Sequence, residues 1–118
     1  MAIHNIWGKV GEDIAHEWLK LHEYEILARN WRSGRNELDF VCSKDGLVVI
    51  VEVKSRCQVP DDITILLPLK KQRALVRTAA KWLAENRRSA ELRFDLLTID
   101  INTKKVCHYP DAIMVYDV

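Results

Sequence analysis

Two short segments carry charged side chains at alternate positions: Glu37 and Asp39 in one, Glu52 and Lys54 in the other. Carboxylates brought together away from water need a proton, a cation or a metal ion. The segments that hold them, Asn36–Ser43 and Leu47–Ser55, read as strands. Asp45-Gly46 joins them, a pair that suits a type I′ turn because both residues accept positive φ. An even-length loop centred there sets Asp39 opposite Glu52 and Glu37 opposite Lys54. Strand side chains alternate between faces, so all four share one face at the open end of the hairpin, with Val41 and Ile50 next along it. The other face is apolar, pairing Leu38 with Val53, Phe40 with Val51 and Cys42 with Val49.

This arrangement carries an electrostatic cost. Directly opposed Cβ atoms lie only ~4.5–5.5 Å apart, and like charges at that range destabilise a sheet. Glu52 also interrupts the apolar run from Val48 to Val53, which otherwise reads as a buried strand. Lys54 offsets part of the charge, but one ammonium does not balance three carboxylates. An oxygen-seeking divalent ion, Mg²⁺ or Mn²⁺, completes the balance. The plain alternative is a solvated sheet edge with a Glu37–Lys54 cross-strand ion pair. It accounts for Glu37 and Lys54 and leaves Asp39 against Glu52 unexplained.

The elements that must position these groups follow from periodicity. From Val10 to His22, the apolar Val10, Ile14, Ala15, Trp18, Leu19 and Leu21 fall in one half of a helical wheel, opposite Asp13, Glu17 and Lys20. Tyr24–Trp31 reads as a strand. Pro68 suits the opening of a second helix running to about Arg88. Leu92–Ile101 is a fourth strand and Lys105–Tyr109 a fifth. The length, 118 residues, fits one domain. The expected fold is α/β, a mixed sheet with flanking helices in αβββαβ order. On the second helix Leu75, Val76, Ala79, Trp82 and Leu83 form a core face that includes the polar Gln72. Lys70, Arg77, Lys81 and Arg88 form a basic stripe roughly 27 Å long, which is either a solvated face or a surface able to track a phosphate backbone.

The net charge is +1, yet residues 54–93 hold ten basic and four acidic groups, an asymmetry that composition alone reads first as ordinary surface variation and that also suits a polyanion surface beside a carboxylate site. A 48% hydrophobic content excludes a disordered tail. No apolar run reaches ~18 residues, and the start lacks the pattern of a secretion signal, so a cytoplasmic chain without membrane partners is expected. Cys42, Cys57 and Cys107 make no CxxC pair and read as free thiols. His4, His16, His22 and His108 make no metal signature and read as surface or interface residues. Trp18 and Trp82 read as core, while Trp7 and Trp31 either pack or stack on bases.

Asp39 followed by Glu52-Val53-Lys54 at the end of an apolar strand resembles the PD-(D/E)xK nuclease motif, with Leu38 where a proline often stands. The wider pattern is similar to the YraN-type family, related to archaeal Holliday-junction resolvases. It is carried by Gly11-Glu12, Ala15, Trp18-Leu19, the run Ile26 to Arg32, Glu37-Leu38-Asp39, Val51 to Arg56, Lys71-Gln72-Arg73 and Arg93-Phe94-Asp95. Asn36 departs from the usual glycine, and Ile65-Leu66-Leu67 is unusually apolar.

The resemblance implies a restriction-endonuclease-like fold and a metal-dependent endonuclease acting on DNA, branched or otherwise structured. Asp39, Glu52 and the Val53 carbonyl would hold Mg²⁺ or Mn²⁺, with Glu12 joining through water. By itself Glu12, at the edge of the apolar arc, reads rather as an acid in the first turn that favours the helix dipole. Lys54 would serve the attacking water or the phosphate, and Gln72 would position the nucleophile. Arg56, Lys70, Lys71, Arg73, Arg77, Lys81 and Arg88 would meet the nucleic acid. Cutting both strands of a symmetric substrate would require a homodimer. The competing reading is a non-catalytic nucleic-acid-binding or assembly module that keeps the nuclease fold.

Overall fold

The computed structural model describes residues 3–113, with side chains from Ile6 onward. Helix α1 spans Ile3–Leu21, followed by strands β1 (Glu25–Ser33), β2 (Asn36–Lys44) and β3 (Leu47–Arg56). A short 3-10 turn at Ile63–Ile65 leads into helix α2 (Leu69–Glu85), and β4 (Leu92–Asp100) and β5 (Val106–Tyr109) follow. The five strands form one sheet in the order β1-β2-β3-β4-β5. Pairing is antiparallel except between β3 and β4, which run parallel because α2 carries the chain back between them. The expected mixed sheet with flanking helices is what forms.

Alternation along β3 divides the core. Val48 and Ile50 join Leu75, Ala79 and Trp82 beneath α2. Val49 and Val51 join Ala15, Leu19 and Leu97 beneath α1. The helices therefore cover opposite faces, and a strand buried on both sides reads as a continuous apolar run. Asp45 (φ 51°) and Gly46 (φ 81°) both take the positive φ that a type I′ turn demands. The register they set is the expected one, from Lys44↔Leu47 to Phe40↔Val51.

Three details differ from expectation. Helix α1 begins at Ile3 rather than Val10, because Trp7 and Gly11 continue the inward face of Ala15 and Leu19 at helical spacing. Helix α2 stops at Glu85 rather than Arg88. Arg87 takes φ 52°, and the Arg88 and Arg87 amides donate to the Leu83 and Ala84 carbonyls. That is a Schellman cap with arginine where glycine is usual, hence without the customary sequence signal. Alternation puts Leu38 on the face of Phe40, yet Leu38 packs with Val41 beneath α2. Between Ile65 and Leu69 the apolar loop divides: Leu66 and Leu67 are buried, whereas Ile65 and Leu69 remain exposed.

Candidate active site

The β2–β3 ladder ends at Phe40↔Val51, one residue short of Asp39 and Glu52. Beyond it the Val53 amide donates to Asp39 Oδ2 at 2.9 Å, so a carboxylate replaces a backbone partner. The Glu52 side chain turns beneath α2, where Lys71 Nζ lies 3.3 Å from Oε1. The expected Glu37–Lys54 pair does not form. Glu37 instead pairs with Arg32 at 3.0 Å, because the arms have left the ladder and its own β1 neighbour is nearer.

Glu12 arrives from the other side of the sheet. Helix α1 crosses β3 so closely that a Cβ on Gly11 would collide with Ser55 Oγ. Only glycine permits that approach without a shift, and it brings Glu12 over the open end of the hairpin. One oxygen each of Glu12, Glu37 and Asp39 then lie within 4.8 Å of one another. Asn30 sits between Arg29↔Phe40 and Trp31↔Leu38, across from Asp39, with φ 53°. In the amide orientation its neighbours dictate, Nδ2 donates to Glu37 Oε1 at 2.8 Å and Glu12 Oε1 at 2.5 Å. Glu12, Glu37, Asp39 and Glu52 border an open cleft of about 370 Å³ that is also lined by Trp7, Val53, Lys54, Ser55, Arg56 and Lys71.

Electrostatics set two of the acids apart. Burial, followed by the charge of Asp39, raises the Glu12 carboxyl above its ordinary value, against the pull of Arg29 and the Asn30 hydrogen bond. Glu52 is 2% exposed. Burial and Asp39 hold its carboxyl well above the ordinary range, and Lys71 and Lys54 lower it only in part. Glu52 Oε2 is buried with no donor directed at it. It can meet the Asp39 carboxylate only by sharing a proton or a cation. A hard divalent ion fits this set, since every acidic side-chain donor is a carboxylate oxygen.

The other expected site residues divide. Lys54 and Arg56 border the cleft. Gln72 is buried on the core face as expected, but its Nε2 donates to the Leu67 carbonyl at 2.8 Å and it does not line the cleft. Lys71, one residue and about 100° away on the helix, reaches the carboxylates instead. Lys70, Arg73, Arg77 and Lys81 are exposed and make no ion pair among the described residues. The stripe on α2 ends at Lys81, ~16 Å from Lys70. Arg88 lies past the helix end, over the Trp82 ring at 5.9 Å. Trp31 packs against the core, whereas Trp7 stands at the cleft.

Sequence reasoning gives no role to Asn30, although asparagine inside a strand is itself a signal. It also misses a second buried charge. Asp95, with no side-chain exposure, accepts from Arg93 Nε and Nη2, both at 2.8 Å. Its other partners are His108 Nε2 at 2.8 Å and the Asp111 amide at 3.0 Å. His108 is thus a structural partner rather than a surface residue. The Arg93-x-Asp95 spacing, two residues on one strand face, is the available clue. All three cysteines are free, and burial pushes the Cys42 thiol up to about 12. No helix among the described residues is long and apolar enough to cross a membrane.

Comparison with known proteins places this geometry in a lineage. The family model described as uncharacterised protein family UPF0102 matches residues 11–99, the span from Gly11 to Ile99 that holds every acid of the cleft. A UPF0102 protein of Bacteroides fragilis is 40% identical over 103 residues, covering 84% of this chain and 83% of its own. One from Flavobacterium psychrophilum is 36% identical over 118 residues, covering 95% and 97%. One from Treponema pallidum is 36% identical over 103 residues, covering 84% and 82%. With a family model over residues 11–99 and relatives 36–40% identical along most of the sequence, the chain belongs to the UPF0102 family, the YraN family.

Proposed function

We propose that this protein is a metal-dependent endonuclease that hydrolyses DNA phosphodiester bonds, with branched or otherwise structured DNA as substrate. The observation that carries the reading is the buried Glu52 oxygen without a donor, set against Asp39. A fold does not retain an unbalanced buried carboxylate cheaply unless something completes it. Asp39, Glu52, Glu12 and the Val53 backbone are the groups that would hold Mg²⁺ or Mn²⁺. Such an ion lowers the pKa of a water and offsets negative charge on phosphate.

The chain's own residues supply the rest. Lys54, on the strand beside Glu52, directs an ammonium into the cleft, where it orients the attacking water or meets the phosphate oxygens. Lys71 faces the same cleft and takes the helix position that the resemblance gives to Gln72. Arg56 and the exposed Lys70, Arg73, Arg77 and Lys81 lead away from the cleft and suit a phosphate backbone. Arg88, held over Trp82, contributes less.

The test is a cleavage screen over single-stranded, duplex, flap and four-way DNA with Mg²⁺ and Mn²⁺. It compares the wild type with Lys54→Ala. Metal-dependent nicking by the wild type, lost in Lys54→Ala with DNA affinity retained, is the expected result. DNA binding without cleavage on any substrate would leave the non-catalytic binding module as the reading. Equal cutting by both proteins would remove Lys54 from the mechanism.

A further inference from the structure

Asn30 combines two features that its neighbours lack. Its φ of 53° is left-handed, in the middle of a strand whose flanking residues stay paired. Asparagine is among the few residues other than glycine that accept this conformation. The reversal turns its side chain toward Glu12 and Glu37, which belong to different elements, α1 and β2. With the amide turned as these neighbours require, Nδ2 lies 2.8 Å from Glu37 Oε1 and 2.5 Å from Glu12 Oε1, and its two N–H groups suffice for one carboxylate each. A lysine or arginine there would also join the acids, but it would cancel their charge. The neutral amide fixes their separation and leaves the charge in place for a cation.

We propose that Asn30 is a positioning residue for divalent-ion capture, a neutral clamp that holds Glu12 and Glu37 beside Asp39 before the ion arrives. This rests on the reading of the cleft as a metal site. Groups that orient metal ligands through hydrogen bonds typically change metal affinity roughly 10–100-fold when removed. Glycine at position 30 separates the two features, because it keeps the left-handed backbone and deletes the amide.

The experiment is calorimetric titration of the full chain with MnCl₂, wild type against Asn30→Gly, alongside thermal melts in chelator. Asn30→Gly should melt cooperatively and bind Mn²⁺ about tenfold more weakly or worse. Equal affinity would overturn the clamp and reduce Asn30 to a backbone role, with the metal site intact. No binding by the wild type would overturn the metal reading, and the clamp with it. Asn30→Asp supplies a second, metal-free readout, since it keeps the size and tolerates positive φ but replaces both donors with a charge facing two carboxylates. It should melt below Asn30→Gly in chelator. A melting temperature equal to or above that of Asn30→Gly would place the amide away from the acids and overturn the proposal.

Discussion

The backbone amide of Val53 and the carboxylate of Asp39 are hydrogen-bonded at 2.9 Å, where two strands would otherwise be bonded through main-chain atoms. Asp39 thus has two duties. It closes the hairpin's open end, and it brings negative charge to Glu12 and Glu52. The duties separate on substitution, because asparagine keeps an oxygen for Val53 and loses the charge. Without divalent ions Asp39→Asn should be as stable as the wild type or more so, by about 1 kcal/mol. Mg²⁺ or Mn²⁺ should raise the wild-type melting temperature by mass action and leave the variant unmoved. Equal shifts in both would remove Asp39 from the metal site.

The raised carboxyls of Glu12 and Glu52 give metal-free stability a defined pH dependence. A folded-state value above the unfolded one means that the folded protein holds the proton more tightly. The associated stability is complete below the ordinary value of 4.5 and is lost as pH rises through the raised values. The wild-type melting temperature in chelator should therefore fall as pH is increased from 4.5. Glu52→Gln should flatten the decline, since a neutral amide carries no charge to desolvate. A wild-type profile that rises or stays level over this range would contradict the burial of Glu52 as a strained acid.

Gly11 tests whether α1 lies as close to β3 as described. Gly11→Ala drives a Cβ into Ser55 Oγ and sets it 3.0 Å from Ser55 Cβ. Overpacking of this kind costs about 1–3 kcal/mol, against a gain of about 1 kcal/mol in helix propensity. Urea midpoints should show net destabilisation. Adding Ser55→Gly removes both opposing atoms, so the double variant should be more stable than the two separate losses sum to. If Gly11→Ala alone stabilises the protein, the helix does not make this approach.

The exposed face of α2 should behave unlike the cleft. Replacing Arg77 and Lys81 together with alanine should weaken binding to every DNA sequence. It should also reduce the dependence of log affinity on log salt by up to about 0.9 for each phosphate that is no longer neutralised. Unchanged affinity and slope, measured by fluorescence anisotropy across a salt series, would mark the stripe as a solvated face.

Much of this architecture is legible in the residues. Asp45-Gly46 fixes the hairpin because its turn type demands two positive φ values, and the register that follows collects Asp39, Glu52 and Lys54 at one end. The core face of α2 follows from spacing, and that of α1 does so at Ala15, Trp18 and Leu19, whereas Val10 and Leu21, placed on the same arc, are exposed. What escapes depends on local departures from regular geometry. Leu38 changes face where the ladder ends, and Arg87 and Asn30 adopt left-handed backbone without being glycine. The exchange of Gln72 for Lys71 turns on the reach of a lysine from about 100° round the helix to Glu52, which a wheel of positions does not show. The Asp95 cluster draws on Tyr24, His108 and Asp111, distant segments whose meeting only the assembled sheet reveals.

The acids' position at the open end of the hairpin also bears on the order of folding. Strands β1, β2 and β3 form a meander of local pairings, the kind that assembles early. The β2–β3 ladder runs from Lys44↔Leu47 at the turn to Phe40↔Val51, so pairing that spreads from Asp45-Gly46 would draw Asp39 and Glu52 together last. Repulsion between them would then act after the rate-limiting barrier and not on the nucleus, which stopped-flow kinetics can check. Interactions formed that late alter the unfolding rate and leave refolding almost untouched. In stopped-flow measurements without divalent ions, Asp39→Asn should slow unfolding while the refolding arm overlays that of the wild type. The charge gathered at the open end of the hairpin would then shorten the lifetime of the native state without obstructing the route to it.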